Sequence, residues 1–330
     1  MQITKYIWED IIIMMDGHVL GLTEPIFTLT MKTFNMLNFK YEQFLVIISF
    51  IILLMYFIII KKSTKYACFV IAIYFIFPFC MDVCQLRFSM ATIFSTLGLY
   101  FLLFEKNKRK SILKYIICIC IAGLIHFAMF FMLILVIPKL LNIKQTIVIT
   151  IISIVVLQIL IVVFPNITFL GDSILTQKIN FVLDYSNQKY NIWGQMNTIY
   201  RIIVFFALYL ILNRIVARRI TKQKERVEDY NKKIEVLNLV LKINIMILII
   251  IPLISIMSDI YRVQTTLSLI NIITYSYFFI KQEKGKINLY NFIFILACVV
   301  FNLVNLNMLV LRNTNLETVF LPLFNNNLLL

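Results

Sequence analysis

Four short stretches of this sequence set ionisable side chains against long apolar runs, where a charge is costly. Arg87 stands in FCMDVCQLRFSMA with Asp82 and Gln85 just before it, and His126 stands in IAGLIHFAMFF. Asp259, Tyr261 and Arg262 share SIMSDIYRVQ, and Glu24 precedes the aromatic stretch IFTLTMKTF, with Asp16 upstream. A guanidinium offers a bidentate fork to phosphate, so two arginines facing one cavity suit a diphosphate. An imidazole beside them suits a general base. Each residue also has a plainer reading. Arg87 can snorkel to an interface or pair with Asp82, and His126 can be a helix-packing partner. Asp259 and Arg262, three apart, can pair on one helix turn, and the Glu24 stretch can be ordinary loop rather than a lid.

Other chemistries lack their residues. Seven glycines form neither GxxxxGK nor GxGxxG, so no phosphate-cradling loop and no ATP site is expected. The two histidines, His18 and His126, cannot make HExxH, and no DxD pair is present to hold a metal-bound nucleotide sugar. Six cysteines (Cys68, Cys80, Cys84, Cys118, Cys120, Cys298) lie in or beside apolar runs without a CxxC pair, and read as small buried hydrophobes rather than metal ligands or disulfides. Neither a metal nor a cofactor is expected.

The elements that position these groups follow from composition. Of 330 residues, 61% are hydrophobic and 14% charged, and mean hydropathy is +0.91. Soluble domains carry about 25% charged residues, so the expected fold is an all-α, polytopic transmembrane bundle. Apolar runs at 44–60, 66–81, 88–104, 111–125, 127–141, 145–164, 200–213, 243–257, 263–280 and 287–305 suggest about ten spans. The domain layout is an N-terminal external segment 1–43 and a transmembrane domain 44–330. The latter carries an external loop 165–199, rich in Tyr, Trp and Asn, and a basic cytoplasmic segment 214–242, part of it an amphipathic helix. No cleavable signal peptide is expected, because the first 43 residues lack a basic start followed by a continuous apolar run.

The net charge of +15 would suggest nucleic acid in a soluble protein, but here Lys and Arg cluster between apolar runs and mark orientation instead. Placing Lys61, Lys62 and Lys65, the 106–114 cluster, Lys139 and Lys144, 214–242 and Lys281–Lys286 in the cytoplasm requires the chain to turn back near His126. A full hairpin and a re-entrant pair of half-helices satisfy that parity equally. Arg87, His126 and Arg262 then share the outer side, at one face rather than at mid-membrane.

The stretch from Phe79 to Leu135, DVCQLRFSMATIFSTLGLYFLL followed by KNKRK and AGLIHFAMFFMLIL, resembles the EpsG-like and Wzy-type bacterial polysaccharide polymerases. Arg87, Ala91 and His126 match the arginine, small residue and histidine of that pattern. LTEPIFTLTMKTFNMLNFKYEQFLVIIS, SDIYRVQTTLSL and the ending LPLFNNNLLL are similar to further family segments. Members begin with a transmembrane helix ahead of the external segment, whereas this sequence starts within that segment.

The resemblance implies a GT-C-like glycosyltransferase of exopolysaccharide, capsule or O-antigen synthesis in the bacterial cytoplasmic membrane. It would join polyprenyl-diphosphate-linked repeat units, such as undecaprenyl diphosphate glycans, at the outer face, possible partners being other envelope assembly proteins. The implied roles are His126 as base or acceptor-positioning group, Arg87 and Arg262 on the diphosphate, and Asp259 orienting Arg262 or acting as the alternative base. Asp82, Gln85, Tyr261 and Glu24 are further substrate contacts. A lipid-linked glycan flippase would use the same arginines but should carry charges at mid-membrane. An envelope glycan ligase or acyltransferase fits the sequence as well.

Overall fold

A computed structural model describes residues 24–163, 192–222, 230–255, 260–279 and 289–308. Helices alone form the regular structure among them. They are α1 (Pro25–Met36), α2 (Tyr41–Ser63), α3 (Ala67–Ile76), α4 (Phe79–Cys84), α5 (Leu86–Phe104), α6 (Lys108–Ile125), a 3₁₀ segment Phe127–Val136 continuing into α7 (Ile137–Leu140), and α8 (Ile143–Val163). After these come α9 (Ile192–Lys222), α10 (Tyr230–Met246) with 3₁₀ turns to Ser255, α11 (Tyr261–Thr265), α12 (Ser268–Tyr275) and α13 (Leu289–Leu306).

The described part of every apolar run is largely helical. Among the described residues six helices, against about ten expected spans, are long and apolar enough to cross a membrane by length and composition: Tyr41–Ser63, Leu86–Phe104, Ile143–Ile161, Gln195–Lys222, Tyr230–Ser255 and Leu289–Leu306. The chain is therefore a multi-pass membrane protein. Helix α8 shows what bilayer contact demands, since Ile147, Val148, Ile151, Ile152, Val155 and Ile159 are all exposed apolar side chains on one element.

Helix α5 is the most enclosed span. Ser89, Ala91, Thr92, Ser95 and Thr96 are buried along it, and short side chains let neighbouring helices come close. At Gly98 a Cβ would sit 3.1 Å from Cys118 Cβ and 3.2 Å from the Tyr115 ring, which sets how tightly α6 packs there. Ser89, Thr92 and Ser95 return their hydroxyls to carbonyls four residues earlier, so burial leaves these groups satisfied. Deeper in the bundle Asn244 of α10 and Asn271 of α12 exchange amide hydrogen bonds of 2.9 and 3.1 Å, a reciprocal polar clasp in an apolar setting.

The turn at His126 decides the layout of the site. Helix α6 starts because the Asn107 side chain accepts from the backbone N–H groups of Arg109 and Lys110, both at 3.1 Å. It ends at His126, whose backbone is extended (φ −146°, ψ 110°). The chain then runs back along α6. Gly123 makes this possible, since a Cβ there would lie 2.6 Å from the Phe130 ring, and the Tyr115 hydroxyl donates to the Met132 carbonyl. Ten residues of 3₁₀ helix rise about 20 Å where an α-helix would rise about 15 Å. That extra length lets a short run reach the far end, where Lys139 Nζ donates to the Leu102 carbonyl at 2.8 Å. These contacts lay Phe127–Leu140 antiparallel to α6 along its length.

Candidate active site

At the His126 end three elements contribute one ionisable group each. Glu24 sits just before Pro25 at the first position of α1, and its carbonyl accepts from Thr28 N and Thr28 Oγ1, which starts the helix. Its side chain does not cap its own helix but turns to the hairpin. Glu24 Oε1 lies 3.1 Å from His126 Nδ1 and accepts the Phe127 N–H at 3.1 Å. The Phe127 N–H is one of the orphan donors at the start of the 3₁₀ segment, so Glu24 caps that segment from another element. Glu24 Oε2 lies 2.8 Å from Arg87 Nη1, on the first turn of α5.

Burial is uneven across the trio. The side chain of Glu24 is 2% exposed, that of His126 20% and that of Arg87 35%. The His126 ring stands edge-on to Phe88, with centroids 5.7 Å apart, so α5 fixes both Arg87 and the imidazole plane. Because the Phe127 N–H and the guanidinium only donate, Glu24 is an accepting carboxylate and His126 Nδ1 is its donor. Nε2 is then the imidazole nitrogen left to accept a proton.

Asp82 and Arg87 do not form the pair that their spacing suggested; Arg87 pairs with Glu24, 63 positions away along the sequence. Asp82 is buried and accepts from the Tyr74 hydroxyl at 2.6 Å, while Ser89 Oγ donates to the Asp82 carbonyl at 2.5 Å. It therefore ties α3 and α5 together. Gln85, half-buried just before α5, keeps a buried Oε1 with no hydrogen-bond partner.

Arg262 comes from α11, which packs against the 3₁₀ segment and α9. Thr64, next to the basic end of α2, bonds Ser276 at 2.7 Å, and Thr266 Oγ1 lies 3.4 Å from Met132 Sδ. These contacts seat α12 and the turn before it against the end of α2 and the 3₁₀ segment, with Arg262 four residues before Thr266. Tyr261 beside it is buried. Glu24 thus joins Arg87 and His126, while Arg262 stands on a different element that packs against the 3₁₀ segment. Asp259, like Asp16 and most of the loop 165–199, lies outside the described residues. Among the described residues no cluster of three or more His, Cys, Asp or Glu is arranged to hold a metal ion.

A family model, the EpsG family, matches residues 5–315 of the chain. The chain belongs to the EpsG family. Membership makes it a membrane protein of a polysaccharide-biosynthesis family. No curated protein and no solved structure matches it.

Glu24 was expected as a lid residue or substrate contact, and its pairing with both Arg87 and His126 is what the sequence did not show. It is 102 positions from His126, and no local pattern links them. The available signal was a carboxylate directly before an N1 proline, a placement that buries the residue at a helix start.

Proposed function

We propose that this EpsG-family protein is a glycosyltransferase that joins polyprenyl-diphosphate-linked oligosaccharide repeat units into envelope polysaccharide at the outer face of the cytoplasmic membrane. The observation that supports it is the meeting of a guanidinium, an imidazole and a buried carboxylate at one end of the bundle. In this reading Arg87 and Arg262 hold the donor diphosphate. The acceptor sugar hydroxyl attacks the anomeric carbon, and its proton passes to His126 Nε2. The bond from that carbon to the diphosphate oxygen breaks, and the leaving group departs as an anion stabilised by the arginines. Glu24 holds Nδ1 as donor and so presents Nε2 as base; it is a positioning residue. Asp259 is the partner of Arg262 or an alternative base. A diphosphate arriving at Arg87 competes with Glu24 for the same guanidinium, and the exposed part of Arg87 gives it room to enter.

Envelope glycan length in cells tests this. Replacing the chromosomal gene with Arg87→Ala or His126→Ala should leave single repeat units on lipid, while Arg87→Lys keeps charge without the fork and should give short chains. Long chains from membranes containing normal amounts of both alanine variants would rule the assignment out.

A further inference from the structure

The opposite end of the bundle holds a second polar site. Helices α5, α6, α7 and α10 surround a cleft of about 740 Å³ into which Lys106, Lys108, Lys139, Lys232 and Lys242 converge, against Glu105 and Glu235. Its remaining wall includes Phe104 and Leu239. Two of the lysines hold the frame. Lys139 Nζ donates to the Leu102 carbonyl at 2.8 Å, and Lys242 Nζ donates to Pro138 O at 2.6 Å and Leu141 O at 2.7 Å. These are carbonyls at helix ends, where a cation is favoured. Glu105 is engaged by Lys114, which holds its carboxyl below the usual range. Five lysines facing two carboxylates, one of them already paired, leave an excess of positive charge in a half-enclosed space. Such a concentration raises the local affinity for anions.

Its depth narrows the class of anion. The cleft lies where α5 ends and α6 begins, at the basic face that the positive-inside rule assigns to the cytoplasm, and at headgroup rather than mid-membrane level. An apolar wall beside lysines matches a phosphate joined to a glycerol backbone, and basic pockets between spans at the cytoplasmic side take anionic headgroups. A volume of about 740 Å³ is ample for a headgroup with its glycerol, within the range of small-ligand sites. We propose that this cleft binds the phosphate of an anionic phospholipid headgroup from the inner leaflet, separately from the Arg87 and His126 site.

The test uses the full chain in nanodiscs of phosphatidylcholine with phosphatidylglycerol mixed in, followed by native mass spectrometry of retained lipid. The wild type should retain phosphatidylglycerol over phosphatidylcholine by about tenfold or more, and Lys106→Gln/Lys108→Gln/Lys232→Gln together should reduce the preference to about twofold. A charge-matched control, Lys61→Gln/Lys62→Gln/Lys65→Gln, removes three lysines from the same face away from the cleft and should keep the preference. Equal loss in both triple variants would overturn the site in favour of diffuse surface charge. No preference in the wild type would overturn it outright. Inorganic phosphate is the remaining arm: if it displaces phosphatidylglycerol completely at millimolar concentration, the cleft is a soluble-anion site and the lipid assignment fails.

Discussion

Removing Arg87 and removing the charge of Glu24 should not be equivalent. Arg87→Ala strands a carboxylate that is 2% exposed, whereas Glu24→Gln leaves a guanidinium that is 35% exposed and can be hydrated. Deleting one partner of a buried ion pair costs about 3 to 5 kcal/mol. The Phe127 N–H and the His126 ring remain on Glu24 and reduce this to about 2 to 3 kcal/mol. For Glu24→Gln, the exposure of Arg87 brings the cost down to about 1 kcal/mol. The double variant Arg87→Ala/Glu24→Gln removes the stranded charge and should regain about 1 to 2 kcal/mol over Arg87→Ala. Thermal unfolding of the purified variants in one detergent, with loss of monodispersity as readout, gives the order: wild type, Glu24→Gln, the double variant, Arg87→Ala. A double variant no more stable than Arg87→Ala would refute the buried-carboxylate account.

Other expectations follow from the same contacts. Gly123→Ala forces a Cβ to within 2.6 Å of the Phe130 ring and should destabilise by about 1 to 3 kcal/mol, with partial recovery in Gly123→Ala/Phe130→Leu; a lone substitution with unchanged melting would contradict the close hairpin. Tyr74→Phe removes a donor from buried Asp82 and should cost about 1 to 3 kcal/mol, and Tyr74→Phe/Asp82→Asn should cost less than Tyr74→Phe alone, as read from detergent melting. A single cysteine at His126 should react with impermeant maleimide added to intact cells, and one at Lys108 only after permeabilisation, since α6 separates them by about 26 Å. Equal reactivity from outside would break the hairpin topology.

Much of the layout was legible because it rests on local rules. Apolar run lengths and lysine clusters located the helices, and charge parity alone required the turn at His126. The number of full spans was not legible. Runs such as 127–141 look like spans in composition, but their reach depends on whether the backbone winds as α or 3₁₀, which periodicity over ten residues does not resolve. In the site, Arg87 and His126 stood out as charges among apolar neighbours. Glu24 stood out less, because its partners come from α5 and the hairpin, and only tertiary packing brings them together. Asp82 misled for the converse reason: a carboxylate five residues before Arg87 looks like its partner, yet the tyrosine hydroxyl of α3 claims it.

We propose that glycosyl transfer from a lipid diphosphate takes place at the Arg87, His126 and Glu24 end of this chain. The most direct measurement is to reconstitute the purified protein in liposomes with a polyprenyl-diphosphate-linked repeat unit as sole substrate and resolve the products by size. The wild type should give a ladder of extended lipid-linked glycans, and His126→Ala and Arg87→Ala none. Extension by folded His126→Ala and Arg87→Ala at the wild-type rate would contradict the proposal.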